Sequence, residues 1–264
     1  MSRGRPLAGA RVLITGGTRG IGRLMAAGAA ERGAAVTIWA RDAELGQRVA
    51  SELGVRFRSV DVADPAAVAE AAAATGPIDV LVNNAGVIAG KPFVDLTEDD
   101  VRRSYEVNVL APYRVTRAFL PGMLQRDRGV VVNIASASGL IGTARMTDYS
   151  GTKHAMVGFT EALRAELRQR RSVVNTLVVC PFYIDTGMFD GAHTAVPWLL
   201  PILRESEVAT SVLDAIERGK QRLLLPPALH TLPLLRLLPV GLADRIVDLL
   251  GVNHTMDDFK GRQD

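Results

Sequence analysis

A single cysteine, Cys180, is all the thiol chemistry in this 264-residue chain. An internal disulfide is therefore excluded, and a reducing compartment, the cytoplasm, is expected. The neighbours in "VVCPF" are apolar, so the thiol reads as buried and inert. Lysine is almost as scarce: Lys91, Lys153, Lys220 and Lys260 are the only four, and 27 of the 31 basic residues are arginine. The arginines are scattered rather than gathered in a stripe and the net charge is only +3, which argues against a nucleic-acid surface. No uninterrupted apolar run approaches the roughly 20 residues of a membrane span. The opening "MSRGRPLAGARVLITGG" holds no apolar stretch resembling a signal peptide, so a soluble protein is expected. His154, His193, His230 and His254 form no ligand-spaced cluster, and no metal is expected. Linkers, internal repeats and low-complexity tracts are missing too, which leaves one domain over residues 1–264.

What is present is a rhythm. Six short β-branched runs, "ARVLITGG", "AAVTIWA", "VRFRSVDV", "IDVLVNNAG", "GVVVNIAS" and "VVNTLVVCP", alternate with Ala-rich or amphipathic stretches long enough for helices. The runs are nearly continuous in apolar character, as expected when helices cover both faces of a sheet. The fold class is α/β: a Rossmann-like, doubly wound parallel sheet flanked by helices. From about Met188 to Leu250 the chain turns Leu- and Pro-rich and reads as helices and loops appended to that sheet.

The first run leads into "TGGTRGIG", a Gly-rich turn between strand and helix. Gly16, Gly20 and Gly22 let the backbone approach a pyrophosphate, whose charge then sits at a helix N-terminus. The second run ends at Ala40, where an acidic residue would bind the ribose 2′-hydroxyl of NAD. Arg41 follows, and Arg19 lies in the Gly-rich turn. Two guanidiniums near one ribose suit a 2′-phosphate, so NADP is favoured over NAD. Asp42 takes the NAD role if the strand runs longer, and Arg41 as a solvated surface charge is the plainer alternative.

"YSGTK" sets Tyr149 and Lys153 one helical turn apart, on one face. A free phenol titrates near pH ~10, and a neighbouring cation lowers that value toward the range useful for proton transfer. The same spacing also suits a surface tyrosine beside a solvated lysine.

Taken together, "TGGTRGIG" at 15–22, "DV" at 61–62, "NNAG" at 83–86, Asn108 in "YEVNVL", "NIASASG" at 133–139 and "YSGTK" at 149–153 resemble the short-chain dehydrogenase/reductase family, in order and over most of the chain. The resemblance implies a nicotinamide cofactor held by the Gly-rich turn (Gly16, Thr18, Arg19, Gly20, Ile21, Gly22) and by Arg41. Asp61 and Val62 would border the adenine, and the stretch from Asn83 through Ala85 to Gly86 would line the cofactor and steady the sheet. Pro181, Ile184 and Thr186 would lie at the nicotinamide. It implies Ser136 as the substrate-holding serine, with Ser138 as a pocket wall. Tyr149 would exchange the proton. Lys153 would hold the ribose and lower the Tyr149 pKa, and Asn108 would position a water linked to Lys153. A homodimer or homotetramer is implied as well.

"CPFYIDTGMF" has Phe182 where most of the family has glycine after the proline. With "PWLLPIL" and "LGVNHTMDDFKGR" it resembles the branch of epidermal-type retinol dehydrogenases and related 17β-hydroxysteroid dehydrogenases. By that resemblance Met188 to Leu203 would be a substrate lid. Its Met188, Phe189, Val196, Trp198, Leu199 and Leu200 predict an apolar pocket for a lipophilic alcohol, ketone or aldehyde of retinoid, steroid or long-chain type. About half of these residues are expected simply to pack a helical subdomain. A β-ketoacyl or polyketide-type ketoreductase shares every core motif, and a non-catalytic NADP-binding sensor shares the fold. In the tail, Leu242, Ile246, Leu249 and Leu250 are expected on one helical face. That face reads as a subunit interface or a pocket cover, ahead of peripheral membrane contact.

Overall fold

The computed structural model of the chain describes residues 4–261. Seven parallel strands make one sheet: β1 Arg11–Thr15, β2 Ala35–Ala40, β3 Arg56–Ser59, β4 Val80–Asn83, β5 Val130–Ile134, β6 Asn175–Pro181 and β7 Arg222–Leu225, in the order β3-β2-β1-β4-β5-β6-β7. The order in which the parallel strands are connected reverses between β1 and β4, so the crevice at their C-terminal ends is the place where such sheets bind ligands. The six strand runs read from sequence all form. The seventh was not foreseen, because "RLLL" is short and has none of the β-branched residues that mark the others. It pairs with β6 from Val178↔Arg222 to Pro181↔Leu225, so part of the supposed appendage completes the sheet.

Helices α1 Gly20–Glu31 and α2 Ala43–Leu53 follow the first two strands. Next come α3 Pro65–Thr75, α4 Glu98–Tyr105, α5 Ala111–Gln125 and the long α6 Thr147–Gln169. The set closes with α7 Glu205–Glu217, α8 Leu232–Leu235 and α9 Val240–Leu249. Three of these starts are chemically encoded. Asp42 and Asp64 cap α2 and α3 by accepting from Leu45 N–H and from Ala66 and Ala67 N–H, and Thr97 with Asp100 forms a reciprocal capping box on α4. α1 differs, having neither a capping side chain nor an acidic residue in its first turn.

Strand alternation then sorts the core into two layers. Val12 and Ile14 of β1 pack with α1, α2 and α7, while Leu13 packs with Val68 of α3, Phe119 of α5 and Leu163 of α6. Every residue of β4, β5 and β6 is buried, which is why those runs read as continuously apolar. A third cluster lies beyond the sheet's C-terminal edge, joining Tyr149, Phe182 and Tyr183 to Leu229, Val247 and Met256. No helix among the described residues is long and apolar enough to cross a membrane.

Four polar side chains are joined inside this core. Asn83 Nδ2 donates to Asn133 Oδ1 at 2.8 Å and to Thr116 Oγ1 at 3.1 Å, and Asn133 Nδ2 donates to Thr160 Oγ1 at 2.8 Å. The bonds tie β4 and β5 to α5 and α6, the helix that carries Tyr149 and Lys153. Asn133→Ala leaves the Asn83 amide short of an acceptor in a dry core, and its expected cost is about 1–3 kcal/mol. Equilibrium urea unfolding measures it, and a midpoint equal to wild type removes the bracing role.

Candidate active site

The C-terminal ends of β1, β4, β5 and β6 open into a cleft of about 630 Å³. At one end lie Ala40, Arg41, Asp42, Asp61 and Val62; at the other lie Ser136, Tyr149, Lys153, Pro181, Ile184 and Thr186. Gly16, Thr18, Arg19, Gly20, Ile21 and Gly22 form the middle, with Ala85 and Gly86 opposite. Of the residues expected at a cofactor, only Asn83 is elsewhere: its amide is spent inside the sheet. Its neighbour Asn84, within the expected stretch Asn83 to Gly86, lines the cleft instead. Asn84 Nδ2 donates to the carbonyls of Thr15 and Gly16, while the N–H groups of Asn84 and Ala85 donate to Thr15 Oγ1. Adjacent asparagines on a strand end point opposite ways, one to the core and one across the crevice, and that alternation is the signal the sequence offered.

The glycines differ in what they provide. Gly16 has φ +66° and turns the chain out of β1. Gly22 has no room for a side chain, since a Cβ there would stand 2.2 Å from the Gly16 carbonyl oxygen. With the uncapped, acid-free start of α1 beside it, this cradle fits the pyrophosphate of a dinucleotide. β2 ends at Ala40, as read. Asp42 is the cap of α2, its carboxylate held by Leu45 N–H at 3.0 Å and lying 4.0 Å from the Arg19 guanidinium.

The reacting end is built on α6. Tyr149 and Lys153 are buried, with Lys153 Nζ 5.3 Å from the centre of the Tyr149 ring. Lys153 Nζ donates to the Ile134 carbonyl at 2.9 Å. Ser136 follows β5, accepts from Ser138 N–H at 3.1 Å and hydrogen-bonds the Tyr149 phenol. The sequence led us to expect a phenol with a lowered pKa, and the structure reverses that. Burial raises the Tyr149 pKa well above its ordinary value, the Ser136 hydrogen bond opposes the rise, and Tyr183 and Asp148 add to it. Burial likewise pushes the Lys153 ammonium down to about 8. Desolvation of the buried phenol is the largest of these effects and favours its neutral form.

Asn108 sits in a π-helical turn, Glu106–Leu110, between α4 and α5. Its Oδ1 accepts from Val87 N–H at 2.8 Å, and its Nδ2 donates to the Val87 carbonyl at 2.9 Å and to Thr152 Oγ1 at 3.2 Å. The carboxamide thus fastens the loop after β4 to α6, and Asn108 does not line the cleft.

Past Ser136 the cleft meets an apolar chamber of about 140 Å³. Ser136, Phe182 and Phe189 belong to both walls. Phe182, Tyr183 and Phe189 form a run of edge-on rings, at 4.7 Å and then 5.1 Å, and Phe189 meets Tyr149 at 5.9 Å. Leu199 and Leu200 line the chamber, whereas Trp198 is 81% exposed and takes no part. Across it lie Ile246 and Val247 of α9 and Leu250 just past its end, so the tail covers the chamber. The expected helical face needs one correction. Leu249 is 85% exposed and Leu242 is exposed too, because the inward stripe is Ala243, Ile246, Val247 and Leu250, offset from the face read in the sequence.

Comparison with known proteins agrees with this geometry. The family model for short chain dehydrogenases matches residues 10–196. The chain is 35% identical to epidermal retinol dehydrogenase 2 of Mus musculus over 269 residues, covering 97% of this chain and 87% of that one. It is 34% identical to short-chain dehydrogenase/reductase 3 of Homo sapiens, with 98% and 89% covered. Among solved structures, a short chain dehydrogenase/reductase from Burkholderia phymatum in complex with NAD superposes with a TM-score of 0.79 at 28% identity, covering 88% of this chain and 94% of that one.

The buried ammonium carries a stability consequence. With its pKa lowered from 10.5 to about 8 in the folded state, Lys153 opposes folding fully below about pH 8, and the penalty fades as pH rises to 10.5. At about 1.4 kcal/mol per pH unit, Lys153→Met should stabilise the protein at pH 7 by up to about 3 kcal/mol and by little at pH 10.5. Urea unfolding of both proteins at the two pH values tests this. A difference that does not shrink with pH would show that the charge is not the cause.

Proposed function

Because the chain belongs to the short-chain dehydrogenase family, oxidoreductases that use a nicotinamide cofactor, we propose that it interconverts a lipophilic alcohol with its ketone or aldehyde, using NADP(H) and Tyr149 as the acid–base group. The observation that carries the reading is the shared wall: Ser136, Phe182 and Phe189 face both the dinucleotide-shaped cleft and an apolar chamber, with Tyr149 beside them. A carbonyl seated at that junction has its hydrocarbon in the chamber and its oxygen at Ser136 and Tyr149. When bound, the cofactor supplies or accepts the hydride at the carbonyl carbon.

Every other part of the reaction falls to the chain. Ser136 Oγ hydrogen-bonds the substrate oxygen and stabilises charge as it develops there. Tyr149, neutral at physiological pH, gives its proton to that oxygen in the reductive direction. The Lys153 ammonium, held by the Ile134 carbonyl, lies close enough to the ring to offset the negative charge left on the phenol. Asn108 keeps the loop after β4 and α6 in fixed relation, so that the two walls of the cleft hold both reactants in register.

The choice of NADP rests on the far end of the cleft. Ala40 provides no carboxylate for a 2′-hydroxyl, and Asp42 is already engaged as a helix cap, while Arg41 and Arg19 flank the position a 2′-phosphate would take. The family is commonly oligomeric. We infer a homodimer or homotetramer, supported by the exposed Tyr105, Leu110 and Tyr113 on and between α4 and α5.

Two variants test the reading. Tyr149→Phe should keep NADPH affinity and lose about 10²–10⁴-fold in kcat on retinoid, steroid or long-chain carbonyl substrates. Tight NADPH binding with no Tyr149-dependent turnover would instead favour a nucleotide sensor, and a strong preference for β-ketoacyl thioesters would move the protein to the ketoreductases. Arg41→Ala should weaken NADPH by roughly tenfold or more and NADH far less. Equal losses in a fluorescence titration would refute the role given to Arg41.

A further inference from the structure

The chamber holds polar atoms for which the proposed reaction has no use. Five hydroxyl-bearing side chains line it: Ser136, Ser138, Thr143, Tyr183 and Thr231. Three are occupied. Ser136 bonds to Ser138 N–H and the Tyr149 phenol, Tyr183 Oη shares a 2.8 Å hydrogen bond with Thr255 Oγ1, and Thr231 Oγ1 donates to the Ala228 carbonyl at 2.8 Å. The hydroxyls of Ser138 and Thr143 have no partner among the described residues, although the two residues are only 6% and 9% exposed.

Both stand on firm supports. Ser138 lies in the turn Ala137–Gly139, which sits so closely on α6 that a Cβ at Gly139 would be 2.6 Å from the Lys153 carbonyl oxygen. The loop of Thr143 is pinned to the C-terminal segment by Ala144 N–H donating to Asn253 Oδ1 at 3.3 Å and by Arg145 lying 3.4 Å from Asp257. Both hydroxyls open onto the chamber, where water can satisfy them, and an apolar substrate that displaces the water leaves them unpaired at a cost in binding. Two hydroxyls without a protein partner on the wall of one small, largely apolar chamber mark a place for a ligand's own polar group.

We propose that Ser138 and Thr143 form a second polar subsite, which binds an oxygen of the substrate remote from the reacting carbon. The inference rests on the functional reading above and narrows it: the substrate is a lipophilic alcohol or carbonyl compound bearing a further hydroxyl or carbonyl, not a plain hydrocarbon chain. A hydroxyl both donates and accepts, so the subsite recognises the presence of that oxygen and not its oxidation state. Leaving it unmatched strands two buried polar groups, which is the strongest means a pocket has of rejecting an analogue.

The test compares 2-decanone with its 5-, 7- and 9-hydroxy derivatives, as substrates with NADPH and, by calorimetry, as ligands of the Tyr149→Phe variant, which holds them without turnover. At least one hydroxyketone should exceed 2-decanone by roughly tenfold or more in kcat/KM and in affinity. Ser138→Ala, Thr143→Val and the double variant should each lower that ratio; Ser138→Ala retains the backbone N–H on which Ser136 depends. Equal affinities for all four ketones, or a ratio that the substitutions leave unchanged, would overturn the subsite. Failure of the functional reading looks different: no Tyr149-dependent turnover of any ketone, with the affinity ratio still reporting on Ser138 and Thr143.

Discussion

One buried ammonium governs the arrangement of this molecule. Lys153 is 4% exposed, and its recorded hydrogen bond goes to a backbone carbonyl, that of Ile134 at the end of β5. A cation in such a place is costly. The surroundings are accordingly fixed to it: the turn after β5 lies directly on its backbone, and Asn108 ties the preceding residue, Thr152, to Val87 in the loop after β4. Folding tolerates the charge because α6 is long, is packed along both β5 and β6, and is braced by the Asn83–Asn133–Thr160 chain.

From that constraint follows the division of the cavity. The polar cleft lies over the switch point of the sheet, where uncapped helix, glycine turn and arginines suit an anionic dinucleotide. The apolar chamber lies beyond it, made by segments far apart in sequence: the turns after β5 and β6, the stretch around Leu199, and α9 near the chain's end. They meet at Ser136, so any ligand spanning both spaces passes the phenol. Burial there favours the neutral form of the phenol, and the Lys153 ammonium lies 5.3 Å from the centre of its ring.

Much of this was legible in the chain. Strands buried on both faces must be apolar throughout, and six of seven announced themselves that way. The glycine turn, the Ala40–Arg41 strand end and the Tyr149–Lys153 spacing are local patterns, fixed by helix and strand geometry, and all fall in one cleft. β7 escaped because its Leu-only run is equally compatible with a helix. In the tail helix Leu242 and Leu249 were assigned to the wrong face, because hydrophobic periodicity gives the width of an apolar stripe but not the angle at which a neighbour meets it. Asn83 could not be separated from Asn84 by composition; only the pleat decides which of two adjacent side chains enters the core.

The sequence by itself determined the sheet, the place of the phosphate turn and the helix carrying phenol and amine, since each depends on contacts between residues near in sequence or on a repeating pattern. Tertiary structure alone decided the electrostatics and the ligand-facing surface. Spacing implied that Lys153 would lower the Tyr149 pKa, yet burial, which no spacing reveals, raises it. Likewise Ser138 and Thr143 are ordinary small polar residues in the chain. They become unpartnered hydroxyls on an apolar wall only when α9 and the segment after β6 close over them, because desolvation belongs to the assembled surroundings of a group and not to the group itself.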